Sequence, residues 1–289
     1  MGEGFVLSLN ELKRGHIPGR PGRAVADWVA LREDDGRAYL LRRAPGEVKV
    51  KGLGRFDAES LLSGFSVGDR ITVGQKSLTI VEPGLPEARR NMARRAQVIG
   101  AKDSGFIVSW MGIGVGSKVL EGGHGSGGLA MHLASVMGSS GTLVSVESRP
   151  EHAEVGRSNM ERLREVLPEF PEWHLIEGDL SQATGDISEI CSIFDCAIVD
   201  LAEPWTVISG IEGMLRVGGR LACYCPTSSQ LEKSWEACEE LGLVVEWSGE
   251  IIERRWSKAS KGGVRPGNQP MGHTAFLLIA AKIAPREEE

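Results

Sequence analysis

The chain has 289 residues, 41% of them hydrophobic and 25% charged, with a formal net charge of −6. That length accommodates one full α/β domain and a small second one, and the composition is ordinary for a globular protein. No apolar run reaches the ~18 residues of a membrane span, and residues 1–5 lack the basic region of a secretory leader. The five cysteines, Cys191, Cys196, Cys223, Cys225 and Cys238, have no zinc-site spacing, so no metal centre is expected. An odd thiol count without an export signal points to the reducing cytoplasm.

The negative total argues against a nucleic-acid partner, but the distribution of charge argues the other way. Arg89, Arg90, Arg94, Arg95 and Lys102 form one stretch without an acid, and Arg254, Arg255, Lys258, Lys261 and Arg265 form another. Either run alone reads as a solvated face. Two such runs in one chain, with Lys13, Arg14, Arg20 and Arg23 near the start, favour an anionic substrate.

In chain order, residues 5–9, 26–31, 39–42, 48–50, 70–73 and 78–81 read as short strands separated by turn signals such as Asp34-Asp35-Gly36 and Gly74-Gln75-Lys76. They predict a small β-rich domain over 1–84. Pro83-Gly84-Leu85-Pro86 ends it and opens a second domain over 85–289. Residues 87–97, rich in Ala and Arg, and 103–111, with Asp103 as cap, are predicted helices. Strands at 118–121, 142–147, 174–177, 194–200 and 220–224 then alternate with helices near 127–138, 150–166, 204–215 and 229–241. This alternation predicts a Rossmann-like α/β fold with a doubly wound, mostly parallel sheet. Residues 246–254 and 274–281 lack a helix between them and read as a final antiparallel pair.

The strongest local signal is Val119-Leu120-Glu121-Gly122-Gly123-His124-Gly125-Ser126-Gly127-Gly128, an apolar strand running through a glycine turn into a helix. Gly123, Gly125 and Gly127 permit close backbone approach of a ligand, and the helix N-terminus offers free N–H groups to an anionic group. Dehydrogenases use a similar turn. Glu147 ends the next strand, where a carboxylate accepts from the ribose hydroxyls of an adenosine cofactor, and Asp179 ends the third, within reach of an adenine amino group. Either acid alone reads equally well as a helix cap. Asp200 closes the fourth strand in Asp200-Leu201-Ala202-Glu203-Pro204-Trp205; it caps the helix beginning near Pro204 or serves chemistry at the same edge.

These elements resemble the tRNA (adenine-N1)-methyltransferases that modify adenine 58 of the T-loop. The likeness extends to Arg94-Arg95-Ala96-Gln97-Val98-Ile99, Lys102-Asp103, Val264-Arg265-Pro266 and Met271-Gly272-His273-Thr274-Ala275-Phe276-Leu277, and covers about 45–283. The glycine turn is common to many methyltransferases; the Asp200–Trp205 and Gly272-His273-Thr274 elements are more specific. The resemblance implies a class I fold that binds S-adenosylmethionine (AdoMet) with a small N-terminal β domain, and a homotetramer. It implies cofactor contacts from Gln97, Glu121, Gly123, Gly125, Ser126, Gly127, Leu129, Glu147, Asp179 and Asp200, with Asp200 catalytic. It further implies tRNA contacts from Arg94, Arg95, Trp205, Arg265 and His273, although His273 reads equally well as the start of the last strand. Four positions depart from the family's usual residues: Gly100, Ala101, His124 and Ala202.

On this reading the target base is turned out of the tRNA, and its N1 attacks the methyl group in line. Asp200 accepts from the exocyclic amino group and stabilises the charge left on the base. The rival readings are an AdoMet enzyme acting on a small molecule such as a corrin precursor, a non-catalytic RNA-binding subunit, and a dehydrogenase.

Overall fold

The computed structural model describes residues 27–284. The strand expected at 5–9 and the basic residues Lys13, Arg14, Arg20 and Arg23 lie outside them. The chain divides into two compact units, one of residues up to 92 together with 161–168, the other of 93–160 and the residues from 169 onward.

The first unit carries strands β1 (Trp28–Arg32), β2 (Ala38–Arg42), β3 (Glu47–Val50), β4 (Gly54–Asp57), β5 (Arg70–Val73) and β6 (Lys76–Val81). Strands β2-β1-β6-β5 form an antiparallel sheet, and β3 pairs with β4. Alternation sets its two faces: in β5, Ile71 and Val73 are buried while Arg70 and Thr72 are exposed. The core gathers Leu31, Leu41, Leu62, Leu78 and Ile80. Leu62 comes from a short helix that the sequence reading did not anticipate, α1 (Ala58–Leu62), which Asp57 caps by accepting from the Ser60 N–H at 2.7 Å.

Helix α2 (Leu85–Arg90) replaces the longer helix expected at 87–97. It starts early because proline tolerates the first turn. It stops at Asn91, whose side-chain amide donates to the Glu87 carbonyl at 2.8 Å. Beyond it the backbone finds partners elsewhere: the Ala93 N–H donates to Asn159, and those of Arg95 and Ala96 to the Ser126 hydroxyl. Helical composition lost to tertiary hydrogen bonds.

The second unit opens with α3 (Ala101–Trp110) and continues β7 (Lys118–Gly122), α4 (Gly128–Met137), β8 (Thr142–Glu147), α5 (Pro150–Val166), β9 (Glu172–Glu177), α6 (Thr184–Ile190) and β10 (Phe194–Val199). After a 3-10 turn at Pro204–Thr206 come α7 (Ile208–Met214), β11 (Leu215–Cys225), α8 (Ser228–Glu240), β12 (Leu243–Gly249), β13 (Trp256–Lys258), β14 (Val264–Pro266) and β15 (Phe276–Lys282). Seven strands form one sheet in the order β12-β15-β11-β10-β7-β8-β9. The five from β9 to β11 run parallel, and β15 pairs antiparallel to both β11 and β12. The parallel strands are apolar on both faces because helices cover both, as β7 and β10 show. Helix α4 is buried on nearly every side, so its sequence is almost wholly apolar.

Three details correct the sequence reading. The cap of α3 is Gly100, and Asp103 lies buried inside the helix. The helix expected at 204–215 is broken into the 3-10 turn and α7. The last antiparallel pair is β12 and β15, and the segment between them holds a hairpin, β13–β14, that was not predicted. The five cysteines are free and buried. Among the described residues no helix is long and apolar enough to cross a membrane.

Candidate active site

Strand order reverses between β7 and its neighbours β8 and β10, and in such sheets ligands bind outside the carboxyl ends of the strands at that point. The glycine turn leaves β7 there. Gly123 adopts φ 87°, and a Cβ on it would lie 2.1 Å from the Asp200 carbonyl oxygen, so the glycine is required by the adjoining strand end. Gly127, at φ 78°, starts α4. Gly125 meets only the Ala96 side chain at 3.7 Å and turns its N–H to the Glu147 carboxylate at 2.7 Å. The Ser126 hydroxyl fastens the 95–96 backbone over the turn.

Three carboxylates converge here. Glu121 is buried; its Oε2 pairs with His124 Nδ1 at 2.8 Å and accepts from the Ser145 hydroxyl at 2.7 Å. Glu147, also buried, accepts from Gly125 and from the backbone and guanidinium of Arg149. Its burial raises the cost of ionisation, but these donors outweigh it and hold the pKa below the ordinary value. Asp200 follows β10, its N–H donating to the Gly122 carbonyl at 2.8 Å. Burial, reinforced by the charges of Glu121 and Glu147 and opposed by Arg149, pushes its carboxyl up to about 7.

A cavity of about 400 Å³ opens along these strand ends. Of the residues expected to bind cofactor, Gln97, Glu121, Gly123, Gly125, Ser126, Leu129 and Asp200 line it. Gly127, Glu147 and Asp179 are not in its wall. Asp179 is exposed and caps the turn after β9, where Ser181 donates to it through N–H at 2.8 Å and hydroxyl at 2.6 Å and lowers its pKa. That is the cap reading of this acid.

The expected tRNA contacts are spread out. Arg94 and Arg95 are exposed in the segment before Gln97, and Arg265 is exposed on β14. The Trp205 ring carries the Lys233 ammonium 4.4 Å from its centre. His273 engages both ring nitrogens, Nδ1 with Glu250 at 2.9 Å and Nε2 with the Pro226 carbonyl at 2.9 Å, and these bonds raise its pKa. It clamps the 250–273 segment to the chain after β11.

Arg149, Tyr224, Gln230 and Thr274 also line the cavity and were not singled out from sequence. Tyr224 lies at the carboxyl end of β11, so the strand-end rule that found Asp200 would have found it. Burial pushes its hydroxyl up to about 12. Thr274 donates to buried Asp103 at 2.8 Å and accepts from Lys102 at 2.7 Å, which explains why the helix of Lys102 and the start of β15 carry these polar residues.

A sheet of this order, with a glycine turn after its first strand and acids at the next strand ends, is the fold of the class I AdoMet-dependent methyltransferases. The solved SAM-dependent O-methyltransferase of Thermotoga maritima shares it, with a TM-score of 0.75 and 27% identity over 92% of this chain and 96% of that one. Residues 82–262 match the family described as tRNA methyltransferase complex GCD14 subunit, and the chain belongs to that family. It is 30% identical to the tRNA (adenine(57)-N(1)/adenine(58)-N(1))-methyltransferase TrmI of Methanocaldococcus jannaschii, over 91% of this chain and 98% of the relative. It is 32% identical to the tRNA (adenine(58)-N(1))-methyltransferase TrmI of Thermus thermophilus, over 86% of this chain and 94% of the relative.

Proposed function

We propose that this chain transfers the methyl group of AdoMet to N1 of adenine 58 in the T-loop of tRNA. The observation that carries this reading is Asp200: a carboxylate held in the wall of the switch-point cavity, in a chain whose full-length relatives are named for that reaction.

The cavity fits the cofactor. Glu147, paired with the cavity-lining Arg149, is a buried acceptor suited to a ribose diol, the α4 N-terminus would offer N–H donors to an anionic group, and the carboxylates suit a cation. When bound, AdoMet supplies an electrophilic methyl on a positively charged sulfur. Asp200 would accept from the exocyclic amino group of the extruded adenine, which aims N1 at the methyl and stabilises the charge the base acquires. Gln97, Leu129 and the glycine turn would hold the cofactor. Asp179 would join them through its second oxygen. The exposed cations Arg94, Arg95 and Arg265 would meet phosphates, with Trp205 and His273 nearer the base. The same reading carries a cytoplasmic homotetramer, testable by ultracentrifugation, and a division into a β-rich domain over 1–84 and a methyltransferase domain over 85–289.

Incubation of unmodified tRNA with the protein and AdoMet, followed by nuclease mapping and mass spectrometry, tests it. A methyl group on N1 of adenine 58 is the expected product; mapping also reports adenine 57. Methylation of a different atom, or none while AdoMet binds, refutes the assignment.

A further inference from the structure

Arg149 stands two residues past the ribose acceptor and is the only lysine or arginine among the residues lining the cavity. Its guanidinium lies on Glu147, Nε 2.9 Å from Oε1 and Nη2 3.4 Å from Oε2. The Arg149 N–H also reaches Oε1, at 3.1 Å, and the Gly125 N–H reaches Oε2, at 2.7 Å. A carboxylate has about four acceptor sites, and these four donors occupy them. A ribose diol needs two. The backbone donors are fixed by the glycine turn and the start of α5, whereas the Arg149 side chain is 53% exposed on a flexible stem. The guanidinium is therefore the donor that must leave.

Its departure changes the charge of the crevice. Glu121 and Glu147 both bear on Asp200 there, and Arg149 is the cation that opposes their repulsion. Glu121 has partners of its own in His124 and Ser145; Glu147 and Asp200 depend on Arg149. A ligand that displaces the guanidinium leaves these two carboxylates less compensated unless it brings a positive charge.

We infer that Arg149 is an exchangeable counter-ion, displaced from Glu147 by the ribose and replaced by the sulfonium, so that the site selects the charged cofactor over its neutral thioether product. This rests on the reading of the cavity as an AdoMet site. After methyl transfer the sulfur is neutral, the guanidinium returns to Glu147, and S-adenosylhomocysteine is expelled. Arg149 is thus a specificity-determining residue that need not touch the reacting atoms.

Calorimetric titration of the purified protein with AdoMet and with S-adenosylhomocysteine tests this, in wild type, Arg149→Met and Arg149→Lys. In Arg149→Met no ion pair must break, so both ligands bind more tightly. Both gain by a similar factor, about tenfold, because each carries the ribose that displaces the guanidinium, and AdoMet keeps its advantage over S-adenosylhomocysteine. Arg149→Lys keeps the charge and holds the ratio near wild type. Circular dichroism of the variants checks that they fold. Weaker binding of either ligand to Arg149→Met overturns the inference, because it means the guanidinium stays and contacts the ligand. Binding of S-adenosylhomocysteine as tight as that of AdoMet, in wild type and in Arg149→Met, overturns the charge exchange. Failure of the wild type to bind either ligand refutes the cofactor reading instead.

Discussion

The crevice at the ends of β7, β8 and β10 and the arm between β12 and β15 both leave the same seven-stranded sheet, yet they are built on opposite terms. In the crevice three buried acceptors are well engaged: Glu121, Glu147 and Ser126 each take part in two or more hydrogen bonds. The arm, residues 250–273, holds a hairpin of three residues per strand, with Trp256 and Val264 exposed by 64% and 66%. The Glu253–Met271 bridge closes it on itself, and the His273 clamp ties it to the Pro226 carbonyl. A preorganised set of dipoles needs rigidity, because reorganisation at the moment of reaction costs rate. A surface that grips a folded polyanion needs reach and net charge. The contrast fits the proposal that chemistry belongs to the crevice and substrate capture to the arm, and substitutions on either side can break it.

The largest effect is expected at Asp200. Asp200→Ala should lower kcat for tRNA methylation by about 10²–10³-fold while leaving AdoMet affinity within a few fold. A variant that kept near wild-type turnover would remove Asp200 from the chemistry. Its pKa of about 7 adds a pH signature. Only the ionised carboxylate accepts from the amino group and stabilises the charge on the base, so kcat/KM for tRNA should fall about tenfold per pH unit below 7. Asp200→Asn should flatten that limb.

The same pKa makes a stability prediction of opposite sense. The folded protein holds the proton on Asp200 up to about 7, against 3.8 ordinarily. The unfolded chain therefore binds fewer protons between these values, and stability falls as pH rises through that window. Three units correspond to about 4 kcal/mol at most. Asp200→Asn, which cannot ionise, should raise the denaturation midpoint of the ligand-free protein at pH 8 and leave it unchanged near pH 4. An equal shift at both pH values would mean that the gain comes from packing. A buried carboxylate that destabilises its own fold is what the proposed role of Asp200 predicts.

On the arm, replacing Arg254, Lys258, Lys261 and Arg265 together by Ala should weaken tRNA binding. The slope of log K against log salt should become shallower by about 0.7–0.9 for each phosphate no longer neutralised. AdoMet affinity should not change. An unaltered slope breaks the assignment of capture to the arm, and an altered sedimentation coefficient would identify it as a subunit contact.

The two regions also differed in how plainly they could be read from sequence. Glu147 and Asp200 were legible because an apolar parallel strand ending in an acid puts that acid at the ligand edge whatever the details of packing. The doubly wound, mostly parallel sheet followed from the alternation of strands and helices. Arg149 was not legible, because its part depends on a rotamer that folds back two residues. The 87–97 segment was misread because composition favours a helix, while Asn159 and Ser126, distant in sequence, hold its backbone. Asp179 had two readings in the sequence, and its bonds to Ser181 are those of the cap. The hairpin was missed because three-residue strands carry little periodicity, though Gly262-Gly263, both at positive φ, mark its turn.

The smallest effect is expected at His273, and it tests how firmly the arm is tied to the crevice. Nε2 faces a carbonyl, which only accepts, and Nδ1 faces a carboxylate, so the clamp is complete only when both nitrogens carry protons. The Pro226 carbonyl and then Glu250 raise the pKa for that reason. A raised histidine pKa contributes stability in full below the unfolded value of about 6.5 and loses it as pH rises through the folded value. Amide exchange in 251–271, corrected for its intrinsic pH dependence, should therefore accelerate on going from pH 6 to pH 8.5, while exchange in β7 and β10 does not. His273→Ala should abolish that pH response and leave the arm at its faster rate throughout. Persistence of the response in the variant would place the pH-dependent attachment elsewhere, and the arm would then be tied to the crevice by the bonds of Thr274 with Lys102 and Asp103.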